Sequence, residues 1–260
     1  MSNVSYEVHE NAQQLFVAAA DLISRLSAEA ISERGQFLLA LSGGSTPRGL
    51  YQVLAQAPYR DRIEWSQVQF FWGDERTVPA DHADSNYGMA QFNLLRPLGI
   101  EERAIHRIEG ENPDPAIAAQ KAMQRLATVA NWQGGPLPTL DLVLLGLGSD
   151  AHTASLFPET DGLREERAWF MANPVPQQAS TRITMTFPLI NAAANVAFLV
   201  AGEDKAEAIA RVWGQTPTDA APASRVQPTS GRLTWFADEA AASEVDVQKL
   251  SNSQTEHSRE

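Results

Sequence analysis

The feature that most constrains this chain is a repeated local pattern: a short, wholly apolar run, a glycine turn, then a segment of helical periodicity. Residues 37–54, FLLALSGGSTPRGLYQVL, show it in full. Phe37–Leu41 has no polar side, which predicts a strand buried on both faces, and such strands belong to parallel sheets covered by helices. Thr46 and Pro47 suit a helix start, Thr as a cap and Pro at the first helical position. Further apolar runs at 68–72, 140–145, 169–172, 183–187, 196–201 and 233–237 predict strands. Helical spacing predicts helices over 12–30, 86–94, 115–130 and 204–213, the first with Leu15, Ala19, Leu22, Ile23, Leu26 and Ala30 on one face. Strands alternating with helices imply a three-layer α/β/α fold around a Rossmann-like, mostly parallel sheet.

The 260 residues, 43% of them hydrophobic, suffice for one large domain or two small ones. The Pro/Gly-rich stretches EGENPDP, NWQGGPLPT and GQTPTDAAPASRVQPTSG are too short to separate domains and predict surface loops. One α/β domain over residues 1–242 is therefore expected, followed by a polar, disordered C-terminal tail over 243–260. No apolar stretch approaches the roughly 18 residues of a membrane span, and MSNVSYEVHENAQQLF lacks the pattern of a secretory signal, so the expected location is cytoplasmic.

A net charge of −12 argues against nucleic acid or an anionic membrane as partner. The chain has no cysteine, which removes disulfides, thiolate nucleophiles and Cys-bound metals. His9, His82, His106, His152 and His257 show no metal-ligand spacing, so no metal is expected. No G-x-S-x-G elbow occurs either, which disfavours a serine nucleophile.

Three motifs can carry chemistry. SGGSTP, Ser42–Pro47, places consecutive backbone N–H groups at a helix start, a concave anion site without Walker or dinucleotide spacing. Taken alone, a turn that merely joins strand to helix explains it equally well. GDER, with DSNYG downstream, puts Asp74, Glu75 and Arg76 at a strand exit, where open parallel sheets carry their ligand crevice; a solvated loop with a local ion pair is the plainer reading. DLVLLGLGSDAHTASLFP runs from an apolar strand into glycines and then Asp150 and His152, an imidazole with a carboxylate two residues away. Imidazole is the natural base near neutral pH, and a carboxylate can orient it. Arg182, in TRITMTFPLIN, and Lys205, in AGEDKAEAI, are cations at a strand start and a helix start, where ordinary surface charge is the simpler account.

LALSGGSTP, FFWGDERTVP with DSNYG, DLVLLGLGSDAHTASLFP, RITMTFPLIN and AGEDKA, in this order, resemble the signatures of the 6-phosphogluconolactonase family, whose fold is shared with glucosamine-6-phosphate deaminases and ribose-5-phosphate isomerases. The resemblance runs from about residue 8 to Ala242, and GDER with the downstream Ser-Asn favours the lactonase branch. It implies a carboxylic ester hydrolase of the oxidative pentose phosphate pathway that opens 6-phospho-D-glucono-1,5-lactone to 6-phospho-D-gluconate, without cofactor. Carried over by residue, Ser42, Gly43, Gly44, Ser45 and Thr46 would bind the 6-phosphate, aided by Arg182 and Lys205. Arg76 would hold the sugar or stabilise charge, His152 would be the general base and Asp150 its support. A deaminase or isomerase acting on glucosamine 6-phosphate, or a non-catalytic sugar-phosphate sensor, are the alternative expectations. The family pattern reads Asp-Gly-His where this chain has Ala151 in the glycine position. Should that position need a positive φ, alanine would cost about 1 kcal/mol or shift the histidine; its small size and intact N–H lead us to expect a working enzyme.

Overall fold

A computed structural model describes residues 4–246. In chain order its elements are β1 (Val4–His9), α1 (Ala12–Arg34), β2 (Phe37–Leu41), α2 (Ser45–Leu54), α3 (Tyr59–Arg62), β3 (Val68–Trp72), β4 (Asp74–Arg76), α4 (Asn86–Ala90), α5 (Pro115–Val129), β5 (Leu142–Leu145), β6 (Phe170–Val175), β7 (Ser180–Met185), α6 (Phe187–Asn191), β8 (Asn195–Val200), α7 (Ala206–Ala210) and β9 (Arg232–Asp238). Short 3-10 turns join several of them.

Six strands form a parallel sheet in the order β1-β9-β8-β5-β2-β3. Its central members are fully apolar because helices cover them: every residue of β2 and β5 is buried. The β8–β9 register sets Phe198 opposite Trp235, and the rings stack at 3.7 Å. The expected α/β architecture is thus present, with α1 running on to Arg34 and ending at Gly35, whose φ of 74° needs a glycine. Its start is capped by Asn11, whose side chain accepts from the Gln14 N–H at 3.1 Å.

Several features differ from the sequence reading. The runs expected over 169–172 and 183–187 leave the parallel sheet and form, with β4, a separate antiparallel sheet ordered β4-β7-β6. The charged triplet Asp74–Arg76, read as a loop, is the edge strand of that sheet. Phe187 starts α6 and does not close a strand, because Pro188 behind it is placed in the helix's first turn. Gly73 joins the sheets: its N–H donates to Leu41 O at 2.9 Å and its carbonyl accepts from the Met185 N–H at 2.7 Å. The helix expected over 204–213 shortens to Ala206–Ala210, preceded by a 3-10 turn at Glu203–Lys205. Of the tail expected over 243–260, residues 247–260 lie outside the described region, while Val245 packs against the core.

Candidate active site

Four adjacent strands of the parallel sheet, β8, β5, β2 and β3, end on one side of the molecule, and the segment leaving each contributes to one cleft of about 280 Å³. From β2 come Ser42, Gly43 and Gly44; from β3, Asp74 and Arg76; from β5, Gly146, Gly148 and His152; from β8, Lys205. This is the carboxyl end of the sheet, where the side chains of buried strands give way to loops free to carry polar groups.

The glycine turn is held from below. The phenol of buried Tyr51, one helical stretch further along α2, accepts from the Ser42 N–H at 2.9 Å and donates to the Ser42 carbonyl at 2.8 Å. Burial pushes the Tyr51 hydroxyl well above its ordinary pKa, so it stays a neutral donor and acceptor. The clamp has a consequence for the expected cradle: the Ser42 N–H is already used. The donors at the mouth of α2 are those of Gly44, Ser45 and Thr46, with Gly44 at φ 104°, a conformation only glycine takes readily. Ser45 and Thr46 form the first turn of α2 but do not line the cleft itself. Gly43 must also lack a side chain, since a Cβ there would lie 1.9 Å from Asn86 Oδ1.

That Asn86 belongs to a buried polar network the sequence reading did not assign. Asn86 donates to Asp74 Oδ1 at 3.0 Å and to the Asp74 carbonyl at 2.9 Å, and Ser155 Oγ donates to Asp74 Oδ2 at 2.6 Å. Glu75 beside it accepts four bonds: from the backbone N–H groups of Arg76, Asn86 and Tyr87, each at 2.8 Å, and from Ser85 Oγ at 3.1 Å. Burial raises the Glu75 pKa, with the three N–H donors opposing. The pairing of GDER with DSN in the sequence was the available signal: one segment supplies acceptors, the other donors at a helix start.

Arg76 sits between two cavities. Its guanidinium donates to the Asp84 carbonyl at 2.6 Å, while its Nε is buried without a partner. Arg182, opposite it in the β4–β7 register, does not line the cleft; it lines the adjoining cavity, shared through Arg76, and bonds Gln178 and Ser180. Burial, and after it the nearby Arg76 charge, lowers its pKa. Lys205 reaches the cleft from the other side, 3.1 Å from the exposed Asp204 carboxylate.

Asp150 and His152 meet as the spacing suggested. Asp150 Oδ1 lies 2.5 Å from His152 Nδ1 and accepts the His152 backbone N–H at 3.2 Å. Burial works to raise the Asp150 pKa, but the bonds from His152 outweigh it and hold the carboxyl below its ordinary range. A carboxylate on Nδ1 fixes the proton of a neutral ring there and leaves Nε2 as the free base. The ring stacks on Phe157 with centroids 3.8 Å apart, which sets its plane. The turn closes tightly: a Cβ on Gly148 would stand 2.0 Å from His152 Nδ1. Ala151, between the pair, has φ 63° and is fully buried, so the position does require left-handed backbone and alanine carries the strain. Among the described residues no three His, Asp or Glu side chains converge as a metal site would.

The family described as glucosamine-6-phosphate isomerases/6-phosphogluconolactonase matches residues 10–235. A 6-phosphogluconolactonase of Nostoc is 41% identical over 242 residues, covering 93% of this chain and 98% of that one. One of Synechocystis is 41% identical over 233 residues, covering 89% and 94%. The solved structure of the 6-phosphogluconolactonase from Trypanosoma cruzi superposes with a TM-score of 0.82 at 29% identity, covering 94% of this chain and 98% of that one.

Proposed function

The chain belongs to the glucosamine-6-phosphate isomerase/6-phosphogluconolactonase family, and from that membership we propose that it is a lactonase hydrolysing 6-phospho-D-glucono-1,5-lactone to 6-phospho-D-gluconate. The observation that carries the reading is the single cleft at four strand ends, which faces an anion-binding turn and two cations toward an Asp–His pair.

A δ-lactone is an activated ester, so catalysis needs a deprotonated water, donors for the oxyanion and a proton for the leaving ring oxygen. His152 Nε2 takes a proton from water as the oxygen bonds to C1, and the carbonyl electron pair moves onto its oxygen. Collapse of that intermediate re-forms the carbonyl, breaks the bond to the ring oxygen and returns the imidazolium proton to it. Asp150, held as carboxylate, orients the ring and stabilises the imidazolium. Phosphate at the mouth of α2, met by Lys205, anchors the substrate with its lactone toward His152. Arg182 adds charge from the adjoining cavity. Arg76, which lines the cleft, is the side-chain candidate for the oxyanion. The catalytic unit in this reading is the single α/β domain expected over residues 1–242. A cytoplasmic location belongs to the same proposal, since phosphorylated sugars stay on the side of the membrane where they are made. No helix among the described residues is long and apolar enough to cross one.

The test is turnover of freshly generated lactone, corrected for spontaneous hydrolysis, alongside glucosamine 6-phosphate. Lactone hydrolysis without ammonia release is expected, with Lys205→Ala raising KM about tenfold or more through loss of a charge-assisted phosphate contact. Ammonia release from the amino sugar, with no acceleration on the lactone, would move the assignment to the deaminase branch.

A further inference from the structure

A second cleft, more than twice the volume of the catalytic one at about 680 Å³, opens between α2 and the segment 80–96. Three observations set it apart from surface relief. Arg48 and Arg96 both line it, and neither guanidinium has an ion-pair, hydrogen-bond or ring partner among the described residues. With Asp81 as the one carboxylate on the same lining, the concavity keeps a net positive charge in a chain of net charge −12. Second, Phe92 stands at its rim 72% exposed, a large aromatic face with nothing packed on it. Third, the wall is a π-helical turn, Gln91–Leu95, and there Gln91 Oε1 is buried without a hydrogen-bond partner. π-turns recur at functional sites, and a buried amide oxygen left unpaired awaits a donor.

The chemistry of the ligand follows from the lining. Two guanidinium forks match the oxygens of two linked phosphates. An exposed phenyl ring offers a stacking surface for a flat heteroaromatic ring. The exposed carboxylate of Asp81 is an acceptor for amino and sugar hydroxyl groups. A sugar phosphate would use the arginines and leave the ring idle. We propose that this cleft is a nucleotide site, binding a nucleoside diphosphate through Arg48 and Arg96 with its base on Phe92. The proposal is independent of the lactonase reading, because no residue of the catalytic cleft takes part.

Calorimetric titration of the full chain with ADP, pyrophosphate and adenosine at low salt tests it. ADP should bind more tightly than either fragment. Arg48→Gln and Arg96→Gln should each weaken it about tenfold, as loss of a charge-assisted bidentate contact does, and Phe92→Ala about fivefold. Lys205→Ala, in the catalytic cleft, should leave ADP binding unchanged. Both arginines and Phe92 are exposed, so unchanged thermal unfolding of these variants would verify that the effects are local. No ADP binding, pyrophosphate binding as tight as ADP, or binding that survives Arg96→Gln but is lost in Lys205→Ala would each overturn the proposal.

Discussion

At the residue scale, the proposed catalytic pair rests on contacts that leave no room for an extra methyl group. Gly148 is the sharpest case, since a Cβ there would occupy the position of His152 Nδ1, 2.0 Å away, and come within 2.6 Å of Asp150 Oδ1. Gly148→Ala should therefore push the Asp–His pair apart and lower kcat by about 100-fold or more, within the range general-base catalysis supplies. A folded Gly148→Ala enzyme with wild-type kcat would show that the pair is not held by this turn. Ala151 tests the opposite limit. At φ 63° it already bears the left-handed penalty of about 1–2 kcal/mol, offset by burial of its methyl group. Ala151→Gly should thus leave stability within about 1 kcal/mol of the parent and retain activity. Ala151→Val, branched and fully enclosed, should cost more than about 2 kcal/mol in urea unfolding; a neutral valine would mean the turn can relax.

At the element scale, the site is a set of strand ends tied together by side chains from other segments. Glu75 on β4 holds the start of α4 through three accepted bonds, from Ser85, Asn86 and Tyr87, and takes a fourth from the Arg76 N–H, and so places both Arg76 and Asn86. Glu75→Gln puts an amide NH₂ against donors and should cost about 1–3 kcal/mol. Because burial raises the folded-state pKa of Glu75, its protonated form is favoured in the native protein more than in the unfolded chain. Wild-type stability relative to Glu75→Gln should therefore be greatest below the ordinary carboxylate range and shrink as pH rises through the folded pKa. A gap that widens with rising pH would contradict the assignment. The parallel strands were legible because burial on both faces makes them continuously apolar. β1, an edge strand pairing only with β9, reads VSYEVH, whose apolar/polar alternation marks a half-buried strand and differs from the continuous apolar runs of the inner strands. The antiparallel sheet was not legible: the runs in β6 and β7 look like any buried strand, and nothing local to Phe170 or Ile183 says which partner each will find. The shortened α7 follows from Gly202 at φ 102°, whose N–H is tied to Asp238, so the chain leaves β8 through a fixed turn before any helix can start.

At the scale of the whole molecule, the sheet order turns motifs more than 160 residues apart into one cleft, from Ser42 to Lys205. The sequence motifs named Gly43, Gly44, Arg76, His152 and Lys205, because unusual residue types at strand exits stand out locally. What they could not reveal was competition for the same groups: that Tyr51 consumes the Ser42 N–H, or that Arg182 lies across Arg76 in the neighbouring cavity. The network of Asp74, Asn86 and Ser155 was hidden for a similar reason, since it links positions 74 and 155 that only the packing of the two sheets brings together. In the proposed mechanism an acidic molecule gathers cations at the site for affinity and places the chemistry on one imidazole. The most direct measurement is hydrolysis of freshly generated 6-phosphogluconolactone by the wild type and by His152→Ala, both verified as folded and corrected for the spontaneous rate. The account predicts rapid wild-type turnover that falls by about 10²–10⁴-fold in the variant with little change in KM. Equal turnover by the two proteins would contradict it and remove His152 from the role of base.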